Sequence, residues 1–173
     1  MSKIAKAADV SPATIYIYFE NKEDVISAMA DRHKKQIHEI LEQARQAPSL
    51  RESLETLFTA HCGETEPQVT AAFVVDLFAE ANRNARVAEL VRDVCETATA
   101  GVTDLIARSP EAKTSDLSPR EMAELFFAVN DGMLMREVLK LGQTSGERRD
   151  RQLRVVRNLW RVLFKSESEP AYA

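Results

Sequence analysis

Apolar residues recur at spacings of three and four along almost the whole chain, with polar and charged residues between them, which is the period of amphipathic helices. From Lys22 to about Ala47 the stripe is Val25, Met29, His33, Ile37, Ile40, Leu41 and Ala44. At 1.5 Å per residue such a helix reaches ~39 Å, enough to join a head to a body. Pro48-Ser49 stops it, and Ser49 with Glu52 predicts a capping box for a helix whose face is Leu50, Leu54, Leu57, Phe58 and His61. Thr65 to Gln68 punctuates again, and the helix that follows carries Val69, Phe73, Val74, Leu77 and Phe78 and ends near Asn82 to Asn84. Ala85 to about Arg108 is a second long helix. Its Gly101 costs about 1 kcal/mol relative to alanine in a helix interior, which predicts a close helix contact there. Residues 109–117 read as a linker holding Pro110. Ser118-Pro119-Arg120-Glu121 then opens a helix that is apolar on nearly every side to Leu141, except at Asn130-Asp131 and Arg136-Glu137. A soluble helix of that kind must be covered all round. Gly142 ends it, Thr144 to Gly146 turns, and a last helix from about Glu147 to Phe164 carries Leu153, Val156, Leu159, Trp160 and Leu163. The fold class is all-α.

Near the start the helices are shorter. Ile4, Ala5 and Ala8 make one apolar face, Asp9-Val10 breaks it, and Ser11-Pro12 restarts a helix with a hydroxyl cap and a proline at the first helical position. That helix presents Ala13, Thr14, Tyr16 and Ile17 and ends near Phe19, after which Asn21 and Asp24 cap the long helix from Lys22. The spacing is that of a helix-turn-helix.

Composition narrows the function. The 173 residues are 45% hydrophobic, enough to bury a core, and hold five glycines. The longest apolar runs, such as Ala71 to Val75, fall far short of the ~20 residues that span a bilayer, and no signal-peptide pattern opens the chain. Cys62 and Cys95 fit no metal or disulfide framework, so a reducing cytoplasm is expected. The net charge is −4, and the first 22 residues set Lys3, Lys6 and Lys22 against Asp9 and Glu20, a thin footprint for phosphate neutralisation.

The stretch IAKAADVSPATIYIYFENKEDVI, residues 4–26, resembles the tetracycline-repressor (TetR) family of transcriptional regulators, the closing Tyr-Phe-Glu-Asn-Lys being its most specific part. Past about residue 30 the resemblance is one of helical layout. It implies a helix-turn-helix head, residues 1–21, followed by a helical ligand-binding and dimerisation domain, residues 22–173, with 22–47 as the connecting helix. In the family a helix of roughly twenty residues precedes the motif, whereas Met1 stands three residues before Ile4, so an incomplete three-helix head is expected, with weakened DNA binding. The DNA-contacting set implied is Ser2, Ser11, Pro12, Ala13, Thr14, Tyr16, Tyr18 and Lys22. Thr14, Tyr18 and Lys22 would hold phosphates, and Ser2, Pro12, Ala13 and Tyr16 would face base edges. No arginine or glutamine stands in the reading helix to make a bidentate base contact.

Further along, a candidate effector pocket comprises Phe58, His61, Phe73, Asp76, Phe126 and Asn130, apolar walls with a few polar groups. Asp76 and Asn130 read equally as helix–helix hydrogen bonds, and the aromatics as plain core. His61 and Cys62 lie ~100° apart on a helix, so they form no nucleophile–base dyad. The arginines at 148, 149, 151, 154, 157 and 161 read as a solvated face with some bridging to acids. The dimer interface is expected from helices 119–141 and 147–164 through Phe127, Gly132, Leu134, Val156, Trp160 and Leu163. No catalytic, metal or cofactor constellation is present in the sequence. The expectation is a homodimeric repressor of a palindromic double-stranded operator, cytoplasmic, released by a small apolar or aromatic effector. Its rivals are a helical small-molecule-binding dimer that has lost DNA binding and an enzyme built in a helical bundle, the latter without a Glu-x-x-His pair, nucleophile–base spacing or glycine-rich phosphate loop in the sequence.

Overall fold

A computed structural model describes residues 1–62, 71–139 and 145–163. Among the described residues eight α-helices follow one another: α1 (Ser2–Ala7), α2 (Pro12–Tyr18), α3 (Lys22–Arg45), α4 (Leu50–Cys62), α5 (Ala71–Ala81), α6 (Ala85–Ala107), α7 (Pro119–Val138) and α8 (Ser145–Leu163). No strand occurs among the described residues, and the all-α expectation holds. The Thr65 to Gln68 box and the turn at Gly142 lie outside the described residues.

Local capping explains most boundaries. Ser49 Oγ accepts from the Glu52 amide at 3.2 Å and donates to the Glu52 carboxylate, closing the expected box at the start of α4. Ser118 and Glu121 close another at α7, with Ser118 N donating to Glu121 Oε2 at 2.8 Å and Glu121 N to Ser118 Oγ at 3.3 Å. Two boundaries differ from the sequence reading. Residues 109–117 contain a 3₁₀ helix, Pro110–Thr114, capped by Ser109, and Ala112 and Leu117 pack against the core. Helix α8 begins at Ser145, so Ser145 and Gly146 are helical instead of forming a turn.

The core is shared by α3, α4, α6, α7 and α8. Leu41 and Ala44 meet Leu50, Leu54, Leu57 and Phe58, with Val102, Leu105, Ile106, Met122, Ala123, Phe126, Val156 and Trp160 completing it. Phe126 stacks on Trp160 with ring centroids 5.7 Å apart, and Phe127 meets Phe126 edge-on at 5.3 Å. Burying each of the larger side chains is worth ~1.5–3 kcal/mol. Ser53, the polar residue buried on α4, lies with its Oγ 2.8 Å from the Ala44 carbonyl and 3.0 Å from that of Ser49, which ties α4 to the end of α3.

Helices α3 and α6 run side by side in the same direction. Lys34 reaches Asp93 at 2.7 Å and Arg45 reaches Asp104 at 3.2 Å, both pairs 59 residues apart. A constant offset of that kind is the signature of a parallel pair. Gly101 of α6 sits against Leu41 of α3: a Cβ added there would lie 2.2 Å from Leu41 Cδ1. The glycine thus lets α6 lie against a leucine of α3, the close contact its position predicts.

Candidate nucleic-acid interface and interior ligand region

The head is assembled by short-range bonds. Asp9 adopts φ +53°, a left-handed conformation that aspartate tolerates better than most residues, and so turns the chain between α1 and α2. Ser11 caps α2, its Oγ accepting from the Thr14 amide at 3.1 Å and lying 2.8 Å from Thr14 Oγ1. Asn21 caps α3 by accepting from the Asp24 amide at 3.0 Å, while Asp24 accepts from the Glu20 amide at 3.0 Å. The reading helix is therefore bracketed by two caps four residues or fewer in span.

No residue of α2 is buried. Tyr16 is 56% exposed, Ile17 76% and Tyr18 74%. Ser2, Ser11, Pro12 and Ala13 are exposed as well, and Thr14 is half-buried. By helical spacing Ala13, Tyr16 and Ile17 share one face and Thr14 and Tyr18 another. Ile17, outside the expected DNA-contacting set, is the most exposed large apolar side chain of the helix and lies one turn after Ala13.

Lys22 is not free. Its ammonium pairs with Glu80 Oε1 at 3.3 Å, and Arg83 Nη2 pairs with the other oxygen of the same carboxylate at 3.3 Å. Hydrogen bonds from Arg83 and then from Lys22 hold the Glu80 carboxyl below its ordinary range. Beside this pair, Asn84 Nδ2 donates to Glu23 Oε1 at 2.9 Å, while Asn84 Oδ1 accepts from the amides of Arg86 at 3.0 Å and Val87 at 3.2 Å and so caps α6. One asparagine joins the N-terminus of α6 to the first turn of α3. An open groove between α2 and α3 is lined by Tyr18, Phe19, Glu20, Asp24, Ser27, Ala28 and Asp31. Its three carboxylates make it unsuited to a phosphate, and none of the six expected pocket residues lines it.

Of those six, Phe58 and Phe126 lie in the shared core, and Asn130, one turn beyond Phe126 on α7, is 1% exposed. Neither the Nδ2 nor the Oδ1 of Asn130 has a hydrogen-bond partner among the described residues. A buried amide left so costs roughly 1–3 kcal/mol per group, so a complementary partner would be strongly favoured. Phe73 is half-buried on α5. Asp76 is exposed and does not join the interior group; the side chain of His61 lies outside the described residues.

Of the residues expected at the dimer face, Val156 and Trp160 are each 1% exposed, buried within the protomer against α4 and α7. Gly132 is exposed with no atom within 4 Å of an added Cβ, and Phe127 and Leu134 are half-buried. Among the described residues, Met135, Leu139 and Val155 are the exposed large apolar side chains of α7, its end and α8. The side chain of Leu163 is not among those described. On α8, Arg157 makes a paired contact to Glu55 at 3.0 and 2.9 Å, and Arg151 and Arg154 are exposed.

Among the described residues, head and body together are all-helical, and the chain opens with two short helices in a helix-turn-helix arrangement. Residues 1–29 match the family model for bacterial regulatory proteins of the tetR family, and the tetracycline-repressor resemblance is borne out. Over 62 residues the chain is 37% identical to the fatty acid metabolism regulator protein of Bacillus subtilis (strain 168), a match covering 35% of this chain and 32% of that protein. It thus spans about a third of the length of that curated relative. Salmonella enterica GusR superposes with a TM-score of 0.73 at 26% identity, covering 96% of this chain and 84% of that one. The reduced form of E. coli NemR superposes with a TM-score of 0.74 at 17% identity, covering 99% and 88%, a likeness of fold. No helix among the described residues is long and apolar enough to cross a membrane.

Proposed function

We propose that this chain is a ligand-responsive DNA-binding transcriptional repressor of the tetracycline-repressor type, acting in the cytoplasm as a dimer on a palindromic operator. The observation that supports it most is the presentation of α2: a capped helix with no buried residue, ending four residues before a lysine that opens α3. In this reading residues 1–21 are the reading head and 22–173 the effector and dimerisation domain. Ala13, Tyr16 and the unassigned Ile17 face base edges, and Thr14, Tyr18 and Lys22 face phosphates.

The effector is small and largely apolar, held among Phe58, Phe73, Phe126 and the unpartnered amide of Asn130, with an acyl compound the first class to try given the name of the Bacillus relative. Its entry would displace α6 and, through the α3–α6 register, tilt α3. Dimeric readers match half-sites ~34 Å or a multiple apart, so a small change in head separation lowers affinity. Coupling is reciprocal, and DNA should weaken effector binding by the same factor. The dimer face in this reading is Phe127, Gly132 and Leu134 extended by Met135, Leu139 and Val155. Sedimentation at micromolar concentration should show a dimer that Met135→Asp weakens; a monomer throughout would remove this assignment.

A second reading, a helical ligand-binding dimer that no longer engages DNA, is favoured by one observation: through residue 40, Ala5 alone is buried, and a head so thinly packed is held weakly. Gel-shift titration with DNA from the chain's own promoter region separates the two. The repressor reading expects sequence-selective binding, with Lys22→Ala lowering affinity for all sequences and reducing the salt slope by about one, and Tyr16→Ala chiefly relaxing sequence preference. No binding to any such DNA would leave the second reading standing.

A further inference from the structure

We propose that Glu80 belongs to the nucleic-acid interface: in the free protein its carboxylate stands where a DNA phosphate would, on the Lys22 ammonium, and it yields that cation when DNA docks. The inference rests on the reading that the head binds DNA. It extends the interface from α2 and the start of α3 to the corner between α5 and α6, 58 residues away in sequence.

The geometry makes the exchange inexpensive. Lys22 Nζ lies 3.3 Å from Glu80 Oε1, and its side chain is 55% exposed, so a phosphate oxygen can approach without any helix moving. Carboxylate and phosphate oxygens compete for the same ammonium, and an ion pair so open to water is weak enough to be exchanged. Glu80 is not left uncompensated, because its second oxygen remains 3.3 Å from Arg83 Nη2. The Asn84–Glu23 bond, 2.9 Å long, keeps the first turn of α3 beside this corner whether or not Lys22 is paired. The head therefore carries one competed cation, and Glu80 sets its affinity for every sequence alike, since phosphate contacts carry no base information.

Glu80→Gln keeps the size of the side chain and removes the competing charge. It should tighten binding to a promoter fragment and to a random duplex of equal length by the same factor, up to about fivefold at low salt, and steepen the salt dependence by about one. In a Lys22→Met background the same substitution should change nothing, and Glu89→Gln, which removes a charge paired with Arg86 elsewhere on α6, should leave affinity at the wild-type level. Circular dichroism of all variants controls for folding. A gain that persists without Lys22, or that Glu89→Gln reproduces, would show bulk charge at work and overturn the latch, as would unchanged affinity in Glu80→Gln; in each case the repressor reading survives. If wild type and Glu80→Gln both fail to bind either duplex at low salt, the repressor reading falls and the latch with it.

Discussion

Through residue 40 the chain buries one side chain, Ala5, whereas the thirteen residues of α4 bury Leu50, Ser53, Leu54, Leu57 and Phe58. Both regions are helical, yet they are held by different forces. Residues 1–21 are held chiefly by local bonds, the Ser11 cap on α2 and the Asn21 cap at the start of α3, each worth about 1 kcal/mol, and are joined to the body by the longer-range Lys22–Glu80 and Asn84–Glu23 bonds. The body depends on apolar surface that α4, α6, α7 and α8 cover for one another. A region held by caps can be displaced or reoriented at small cost, and one held by burial resists. For a protein read as changing the separation of two heads while its body stays folded, that division places the compliance at the N-terminal end, the end proposed to meet DNA.

Truncating the body's centre should give the largest effect. Trp160→Ala removes the ring stacked on Phe126 and should cost about 3–5 kcal/mol, measured by thermal or denaturant unfolding. A loss under about 1 kcal/mol would mean that α8 is not held as the core contacts indicate. Gly101→Ala comes next: the new methyl meets Leu41 in a packed interior, and the overpacking cost of ~1–3 kcal/mol exceeds the ~1 kcal/mol gained in helix propensity. Gly132→Ala meets no atom of its own protomer, so a loss of stability in the same assay would report the proposed dimer face and not the fold of the chain.

Ser11→Ala and Asn21→Ala test the head from the other side. Each should raise amide exchange across residues 1–24 by the equivalent of about 1 kcal/mol and leave the body's unfolding midpoint nearly unchanged. An equal shift of both regions would break the distinction between them. The smallest effect expected is that of acid. Glu80, Glu96 and Glu121 are held below their ordinary 4.5 by bonds from Arg83 and Lys22, from Arg120, and from Ser118. A depressed carboxyl contributes its stability above the unfolded value and loses it as pH falls through the folded one, so these contributions should be intact at neutral pH and fade below about 4.5. A midpoint that rises between pH 5 and pH 3 would contradict the sign.

Much of this was legible before any coordinates. Ser11-Pro12, Ser49 with Glu52, and Ser118-Pro119 with Glu121 announced three helix starts because capping is chemistry between residues three apart. Ser109-Pro110 carries the same signature within the stretch expected as linker, because a five-residue 3₁₀ helix is too short to show an apolar period. Gly101 announced a close contact because glycine costs about 1 kcal/mol mid-helix and a packed neighbour offsets it, though the sequence did not say that Leu41 would be that neighbour, and Gly132 in α7 has no such neighbour within the protomer.

Tertiary structure alone decided which apolar face met which partner. A helical stripe states that Val156 and Trp160 must be covered; only the packed protomer shows that α4 and α7 cover them, leaving Met135, Leu139 and Val155 outside. Asp76 faces solvent and Asn130 the interior for the same reason, as both interrupt apolar helices and no periodicity ranks them. The pairing of Lys22 with Glu80 across 58 residues lies furthest from sequence reasoning. Local chemistry acts within a turn or two of helix and is written in spacing, while contacts between helices depend on the register in which α3 and α6 come to lie.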